Sequence, residues 1–343
     1  MAIKRLFKAG FVFSLLFISI ANFAQVNGGE SAFSFLTLPN AARVTGLGGA
    51  AITINDSDPN IGQQNPALYR GEMSKKVAVG ANAYLADLVY GNALYVLERD
   101  SGFTAAIGVQ YLNYGDFTSA DASGNVTGDF SGNDVAILLG LSYQKDNWSY
   151  GAHLKPIFSG IESYSAFGAA LDLGINYYNP ESNFSFSVVA KNAGVQFRNY
   201  QEGSRAPLPF DLQMGVSKRL KYLPLRVMLT AHHLHTWDIR YNDPALETTN
   251  TLIGEEVMPN YFADILFRHL IFGGEFYFGK NVRVQLGYNH LRRQELRLTQ
   301  RGGLLGFSFG LGMRIKRFEL NYGRGNYHFA DGSNHLSVTF SLR

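Results

Sequence analysis

The chain has 343 residues, of which 46% are hydrophobic and 17% are charged, and its formal net charge is +3. Ordinary soluble domains carry about 25% charged residues, so this chain is unusually poor in charge. It contains no cysteine, which excludes disulfide bonds, thiolate catalysis, cysteine-bound zinc and a lipid anchor on an N-terminal cysteine.

The first 24 residues are predicted to be a cleaved export signal. Lys4, Arg5 and Lys8 precede the short apolar stretch 10–20, and Ala24 is a small residue before the expected cut. The apolar stretch is too short to cross a membrane comfortably as a helix. Because this signal carries three cations and no anion, the chain that remains is close to neutral, and its charge gives no indication of nucleic-acid binding.

Residues 25–74 lack a regular alternation of apolar and polar side chains, and we expect them to form a hatch or plug segment. They contain the turn-like stretch 56–60 (DSDPN) and the closely spaced glycines Gly46, Gly48 and Gly49, which allow the backbone a tight path. A segment of this length ahead of the first strand can fold into the centre of a barrel.

The remainder of the chain, residues 75–343, alternates repeatedly. Within GFSFGLGMRIK (306–316), bulky apolar residues take the odd positions, and glycine, serine and cations take the even ones. This period of two predicts strands with two chemically different faces. Fourteen strands are predicted, at 75–84, 88–97, 103–114, 134–144, 148–158, 166–178, 184–193, 209–219, 225–236, 270–279, 281–290, 303–314, 316–324 and 335–343.

The connections between these strands predict a barrel that crosses a membrane. One alternating set is short, at 99–102, 145–147, 179–182, 221–224, 279–280 and around Lys316. The other set is longer, at 115–133, 194–208, 237–269, 291–302 and 325–334, and a short helix is expected within 255–269. Short turns at one end and long loops at the other are typical of up-and-down barrels in the outer membrane, with the long loops outside.

A soluble β-sandwich or a lipocalin-like barrel is the alternative architecture. Its polar face would meet water and carry Lys, Glu, Asp and Thr, whereas here that face is dominated by Gly, Ser, Ala, Asn and Gln. Small polar side chains suit a crowded barrel interior, and the apolar face suits hydrocarbon. The predicted fold class is therefore all-β: a transmembrane outer-membrane β-barrel of about 14 antiparallel strands with an N-terminal hatch. The residues predicted to face lipid are Phe307, Phe309, Leu311 and Met313.

No catalytic residue, metal ligand or cofactor is predicted, and we expect a protein that is not an enzyme. GFSFG (306–310) matches the nucleophile elbow G-x-S-x-G, but the alternation runs straight through Ser308, where that chemistry needs a sharp turn. His233 and His235 could share one face of a strand and form a two-histidine metal site. Lumen lining or an interfacial position is the preferred interpretation of these histidines.

The N-terminal region resembles a known family. FLTLPNAARVTGLGGAAI (35–52), followed by Asn65, Pro66 and Ala67, resembles the hatch of the FadL-type outer-membrane barrels, and more closely that of their PorV/PorQ branch. GKNVRVQLGYNHLRRQELRL (279–298) resembles PorQ-type members in particular, as does the stretch that starts at position 306. The resemblance implies a fourteen-stranded barrel with an N-terminal hatch, in the outer membrane of a gram-negative bacterium.

The resemblance also implies a function without catalysis. PorQ-type proteins belong to the type IX secretion system, where they anchor a PorZ-like surface protein beside the PorU sortase and PorV while cargo is joined to lipopolysaccharide. The alternative is a FadL-like transporter of hydrophobic small molecules, which predicts an apolar pocket beneath the loops and a kinked strand. An anchor needs aromatic or arginine residues on its long loops. The candidate partner-contacting residues are Phe117, Phe130, Tyr200, Trp237, Tyr241, Met258 and Tyr261.

Overall fold

The computed structural model describes residues 31–84, 88–98, 102–201, 206–240, 262–296, 304–326 and 332–342. The predicted export signal lies outside these residues. Among the helices of the described residues, none is long and apolar enough to cross a membrane.

The described residues form a closed barrel of fourteen antiparallel strands, as predicted. Each strand pairs with its neighbours in the chain, and β1 pairs with β14 from Lys76–Ser341 to Ala83–Asn334, which closes the sheet. The strands are β1 (Lys76–Ala83), β2 (Val89–Glu98), β3 (Phe103–Ala120), β4 (Val126–Lys145), β5 (Trp148–Ile161), β6 (Tyr164–Asn179), β7 (Phe184–Arg198), β8 (Asp211–Arg219), β9 (Leu225–Ala231), β10 (Leu270–Phe278), β11 (Val282–Asn289), β12 (Phe307–Ile315), β13 (Phe318–Asn326) and β14 (Gly332–Ser341).

Short helices lie before the barrel and in two of its connections. They are α1 (Ala42–Gly46), α2 (Pro59–Gly62), α3 (Phe262–Arg268) and α4 (His290–Glu295), with 3₁₀ turns at Ser34–Thr37, Pro66–Leu68 and Gly71–Met73. The helix α3 is the short helix expected within 255–269. We call the barrel end with the tight turns, such as 146–147 between β4 and β5, the turn end, and the opposite end the loop end.

One predicted long loop is mostly strand. The stretch 115–133 continues β3 to Ala120 and starts β4 at Val126, so that the two strands form an extended hairpin at the loop end. A register shift between Asn113 and Asp116 interrupts their pairing. Both faces of this hairpin are largely exposed, so its residues lack the apolar–polar alternation by which the other strands were predicted.

The two faces of the strands differ as the alternation requires. On β12, Phe309 and Leu311 are 43% and 45% exposed, whereas Ser308 between the apolar positions is 2% exposed and points inward. Phe307 and Met313 lie on the same outward face as Phe309 and Leu311. The strand runs straight through Ser308 without the sharp turn of a nucleophile elbow. The barrel therefore presents an apolar exterior around a polar, crowded interior, which is the arrangement of transmembrane barrels.

Candidate functional site

Residues 31–74, which we call the luminal segment, lie inside the barrel and contact opposite walls. Helix α1 packs against β11 to β14, the 3₁₀ turn Pro66–Leu68 packs against β4 to β6, and α2 lies against β1 and β2. Ala41, Leu47, Ile54, Ile61 and Leu68 are fully buried, so much of the segment is shielded from solvent. The interior of the barrel is the candidate site, because this segment and the inward faces of the strands meet there.

The three glycines predicted in the hatch have specific steric roles. Gly48 and Gly49 have φ of +95° and +98° and turn the chain after α1, a conformation that other residues adopt only with strain. Gly46 lies against the wall: a Cβ built on it would be 2.9 Å from the Cα of Gly310. Glycine at the inward position 310 therefore lets α1 approach the backbone of β12.

Asn65, Pro66 and Ala67 form a capped turn. The Asn65 side chain accepts a hydrogen bond from the Ala67 N–H (3.0 Å), and its Nδ2 donates to the carbonyl oxygen of Ile52 (2.9 Å). Pro66 occupies the first position of the 3₁₀ turn, where a missing N–H costs nothing. The facing wall has a glycine at Gly151, where a Cβ would lie 2.3 Å from the Pro66 carbonyl carbon. These residues set how closely the luminal segment packs on β5.

A buried ion cluster joins the luminal segment to the wall formed by β9 to β13, which we call the far wall. Arg43 is fully buried, and its Nε and Nη2 donate to the two carboxylate oxygens of Glu275 on β10, both at 2.9 Å. Its Nη2 also lies 2.7 Å from Asp56 Oδ2, and its Nη1 lies 3.3 Å from Asp58 Oδ2. A bidentate pair with further carboxylates around one guanidinium fixes the position of α1 strongly.

The barrel wall supplies further charges to the same cluster. Arg226 on β9 lies 3.2 Å from Glu275, and Arg283 on β11 contacts Glu319 on β13. Arg314 on β12 lies 2.6 Å from the second oxygen of Glu319. Positive and negative groups therefore alternate through the cluster, so that each buried charge has an opposite charge beside it, as burial in a low-dielectric interior requires.

The sequence pattern did not predict this cluster. Glu275 is the only charged residue of β10 and lies at an inward position. The alternation along this strand could therefore have indicated a charge that faces the barrel interior. Arg43 lies in a helix of five residues with no pattern that would separate a luminal cation from a surface one.

A polar cleft of about 450 Å³ opens at the turn end. Its lining includes Asp56, Tyr178, Arg219, Arg226 and Lys280. The charged lining is unsuited to an apolar ligand, and the cleft adjoins the ion cluster, since Asp56 and Arg226 belong to both.

The loop-end half of the interior contains an apolar patch, which we call the outer apolar cluster. Five neighbouring strands, β2 to β6, place buried apolar side chains inward here, although elsewhere the inward positions are mostly polar. The luminal segment covers them with the side chains of residues 32–36. The buried members of the cluster are Ala32, Phe33, Phe35, Leu36, Tyr90, Leu112, Ala136, Ile157, Ala166, Ala170 and Leu208.

The strand pairing is interrupted beside this cluster. Pairing of β4 with β5 passes from Ala136–Ile157 directly to Leu139–Leu154, and the intervening Pro156 has no N–H to donate. Two seams further round the barrel, β6 and β7 change register between Leu171 and Leu173. The wall next to the outer apolar cluster therefore has fewer regular hydrogen bonds than a continuous ladder would supply.

Comparison with solved structures supports this architecture. The TodX monoaromatic hydrocarbon channel in its deltaS2 mutant form is similar with a TM-score of 0.50 and 12% identity, over 88% of this chain and 97% of that chain. The chain shares the barrel fold of this channel. The Pseudomonas putida toluene transporter TodX (TM-score 0.48, 11% identity, 88% and 97% of the two chains) and a Pseudomonas aeruginosa FadL homologue (0.48, 11%, 89% and 98%) are also similar. No protein-family model and no curated relative matches the chain.

The predicted partner-contacting residues that the structure describes lie in three places. Phe117 and Phe130 pair across the β3–β4 hairpin with their rings stacked at 5.2 Å. Trp237 is 51% exposed and packs beside Phe262 at 5.4 Å, and the Tyr200 hydroxyl contacts Ser159. Tyr241, Met258 and Tyr261 lie outside the described residues.

The prediction for His233 and His235 was wrong in its geometry. Strand β9 ends at Ala231, and His233 has a φ of +53°, so the two histidines do not share a strand face. A continuing strand would direct His232 to the face opposite His233. Instead, the ring centroids of His232 and His233 are 4.7 Å apart, closer than the 6.0 Å between the rings of His233 and His235. The left-handed residue is a tertiary feature that the sequence pattern did not indicate.

Proposed function

We propose that the chain is a FadL-like outer-membrane channel, without catalysis, for hydrophobic small molecules. The observation that carries this proposal is the outer apolar cluster. Inward-facing tyrosine, leucine and isoleucine form a surface at the loop end that an apolar molecule can occupy once residues 32–36 move away.

The luminal segment is attached in two different ways, which makes such a movement local. Backbone hydrogen bonds of residues 32–38 run largely within the stretch, as from Leu36 N–H to Phe33 O (3.1 Å), and Ala32 N–H donates to Pro207 O (2.9 Å). From Arg43 onward, the ion cluster holds the segment to the far wall. A ligand can therefore replace residues 32–36 while α1 and α2 stay in place.

The interrupted pairing at Pro156 supports a lateral route. An apolar ligand released from the cluster toward the wall meets the seam between β4 and β5, where the ladder lacks regular hydrogen bonds. An exit through the wall into the membrane would spare the ligand the polar cleft at the turn end.

Uptake of labelled toluene and labelled oleate into liposomes that contain the folded barrel tests the proposal. Ala170→Phe fills the outer apolar cluster, and Ala169→Phe places the same ring on the outward face one residue away. We expect Ala170→Phe to abolish most of the uptake and Ala169→Phe to retain it. Equal uptake by both variants, or no uptake of either probe by the folded wild type, would contradict the channel.

A second candidate function is the non-catalytic anchor of a type IX secretion attachment complex, holding a PorZ-like protein beside PorU and PorV. The observation that favours it is the loop-end surface. The β3–β4 hairpin extends with both faces largely exposed, and Phe117, Trp237 and Phe262 offer aromatic contact area there. Exposed aromatic side chains suit a protein partner.

Affinity purification from detergent-solubilised outer membrane separates the two functions. An anchor co-purifies with a large surface protein, and deletion of the barrel removes cargo from the cell surface. A channel is recovered alone, and a deletion strain still displays cargo normally but fails to take up the apolar probe.

A further inference from the structure

Three potential metal-binding side chains converge at the loop end. Asp211 is the first residue of β8, and His232 and His233 follow the end of β9. One possible ligand atom from each residue lies within 4.8 Å of the others, and the Nδ1 atoms of the two histidines face each other in direct contact. The left-handed backbone at His233 produces this convergence, since adjacent residues on a strand would point to opposite faces.

We propose that Asp211, His232 and His233 form a binding site for one divalent transition-metal ion. The set of two imidazole nitrogens and one carboxylate oxygen is a donor set that Zn²⁺ takes in proteins. It does not suit Ca²⁺ or Mg²⁺, which prefer oxygen ligands throughout. The site is independent of the channel and anchor functions proposed above.

Surrounding groups hold the ligands in position. Asp211 Oδ1 accepts the His233 backbone N–H at 2.6 Å, and Asp211 Oδ2 accepts from Gln213 Nε2 at 2.6 Å. The backbone of His232 is fixed by His269, whose Nδ1 lies 2.7 Å from the His232 carbonyl oxygen. Hydrogen bonds of this kind orient the coordinating side chains of metal sites and strengthen metal binding.

His232 is the most deeply buried of the three proposed ligands. His232 is 4% exposed, and its Nε2 has no hydrogen-bond partner among the described residues. A ring nitrogen that carries no proton offers a lone pair, and one cation can accept such lone pairs from both rings together with an oxygen of Asp211. Neutral imidazole is also the form that binds metal.

The ion would add a link between the ends of two neighbouring strands, β8 and β9, which pair as far as Met214 and Ala231. Asp211 begins β8, and the histidines lie where the chain leaves β9, so coordination ties the strand ends on either side of the 199–210 and 232–269 connections. Asp211 and His233 are half-buried, which leaves access from the loop end and a free coordination position for water.

The test measures metal bound to the folded barrel, purified in detergent without a histidine tag and stripped with EDTA. We expect the wild type to bind one equivalent of Zn²⁺ by calorimetry and by elemental analysis, and its thermal unfolding temperature to rise on binding. Asp211→Asn and His232→Gln should each weaken binding by at least about ten-fold, the effect of losing a ligand or its support in metal sites. His290→Gln is the matched control, because His290 is a loop-end histidine that lies 3.3 Å from Asp264 instead.

Two results would overturn the site. One is a folded wild type that binds no stoichiometric Zn²⁺, and the other is a loss of affinity in His290→Gln equal to that in His232→Gln. If the ligand variants fail to fold, the absorption spectrum of the wild type titrated with Co²⁺ decides the question. Intense d–d bands from a low-symmetry site with nitrogen ligands support the proposal, and the spectrum of hexa-aqua Co²⁺ contradicts it.

Discussion

At the scale of single residues, Arg43 carries the strongest prediction. It is fully buried among Glu275, Asp56 and Asp58, so Arg43→Gln leaves carboxylates without their cation. Removing one partner of a buried pair costs about 3–5 kcal/mol, and we expect that loss of unfolding free energy in denaturant titrations of the barrel refolded into lipid vesicles.

The control for this substitution is Arg240→Gln. Arg240 pairs at 2.7 Å with Asp238, whose side chain is 51% exposed, and exposed pairs contribute at most about 1 kcal/mol. If Arg43→Gln were as mild as Arg240→Gln, the ion cluster would not be what holds the luminal segment.

The inward-facing Gly287 on β11 gives the second prediction at this scale. A Cβ on Gly287 would lie 2.1 Å from the backbone nitrogen of Gly48, so Gly287→Ala pushes the luminal segment away from β11. On the neighbouring strand, a Cβ on Gly274 would lie no closer than 4.0 Å to Leu225 and Leu286. We expect Gly287→Ala to lose about 1–3 kcal/mol by the same titration and Gly274→Ala to lose little. Equal stability of the two variants would mean that the segment does not pack on this wall.

At the scale of elements, α3 and α4 are joined by Asp264. Its carboxylate accepts from Arg268 Nε (2.7 Å) within α3 and lies 3.3 Å from His290 Nε2 in α4. Partial burial acts to raise the pKa of Asp264, but the hydrogen bonds from Arg268 and His290 outweigh it and hold that pKa below its ordinary value. A lowered pKa in the folded state means that this carboxylate stabilises the helix pair above the pKa it has in the unfolded chain. The stabilisation is lost as the pH falls through the folded pKa.

Amide hydrogen exchange in α3 checks this pH dependence. At neutral pH, Asp264→Asn should lower the protection of Phe262–Arg268 by about two-fold, the size of effect expected for the loss of one side-chain pair on a helix. At a pH below the folded pKa, the wild type and the variant should be equally protected. A difference that persists unchanged at low pH would show that the carboxylate charge is not responsible.

The elements also show how far a periodic pattern reaches. All fourteen predicted strands are present, because a strand with one buried polar face and one apolar face must alternate along its length. The pattern failed where both faces are solvated: residues 115–133 form a hairpin that was predicted as a loop. It also failed at His233, where a left-handed residue redirects the side chains that follow β9.

At the scale of the whole molecule, the outward apolar face is expected to lie in a membrane. Leu311 is 45% exposed at the middle of β12, and Ile315 is 49% exposed at the turn end of the same strand. A lysine at the bilayer midplane costs about 2–4 kcal/mol, and near the interface about 0–1 kcal/mol. Leu311→Lys should therefore destabilise the barrel in lipid vesicles far more than Ile315→Lys. Equal costs at the two depths would remove the membrane assignment.

The sequence alone determined the strands, their two faces and the number of crossings, since each of these follows from local alternation and from the lengths of the turns. Barrel closure between β1 and β14 was then expected, because an open edge in hydrocarbon would leave backbone groups without partners. Only the tertiary structure decided what fills the barrel. Arg43 meets Glu275 across 232 residues of sequence, and residues 32–36 cover apolar side chains from five strands. Such contacts depend on how one segment folds back into a closed space, and no local pattern records which distant side chains will meet there.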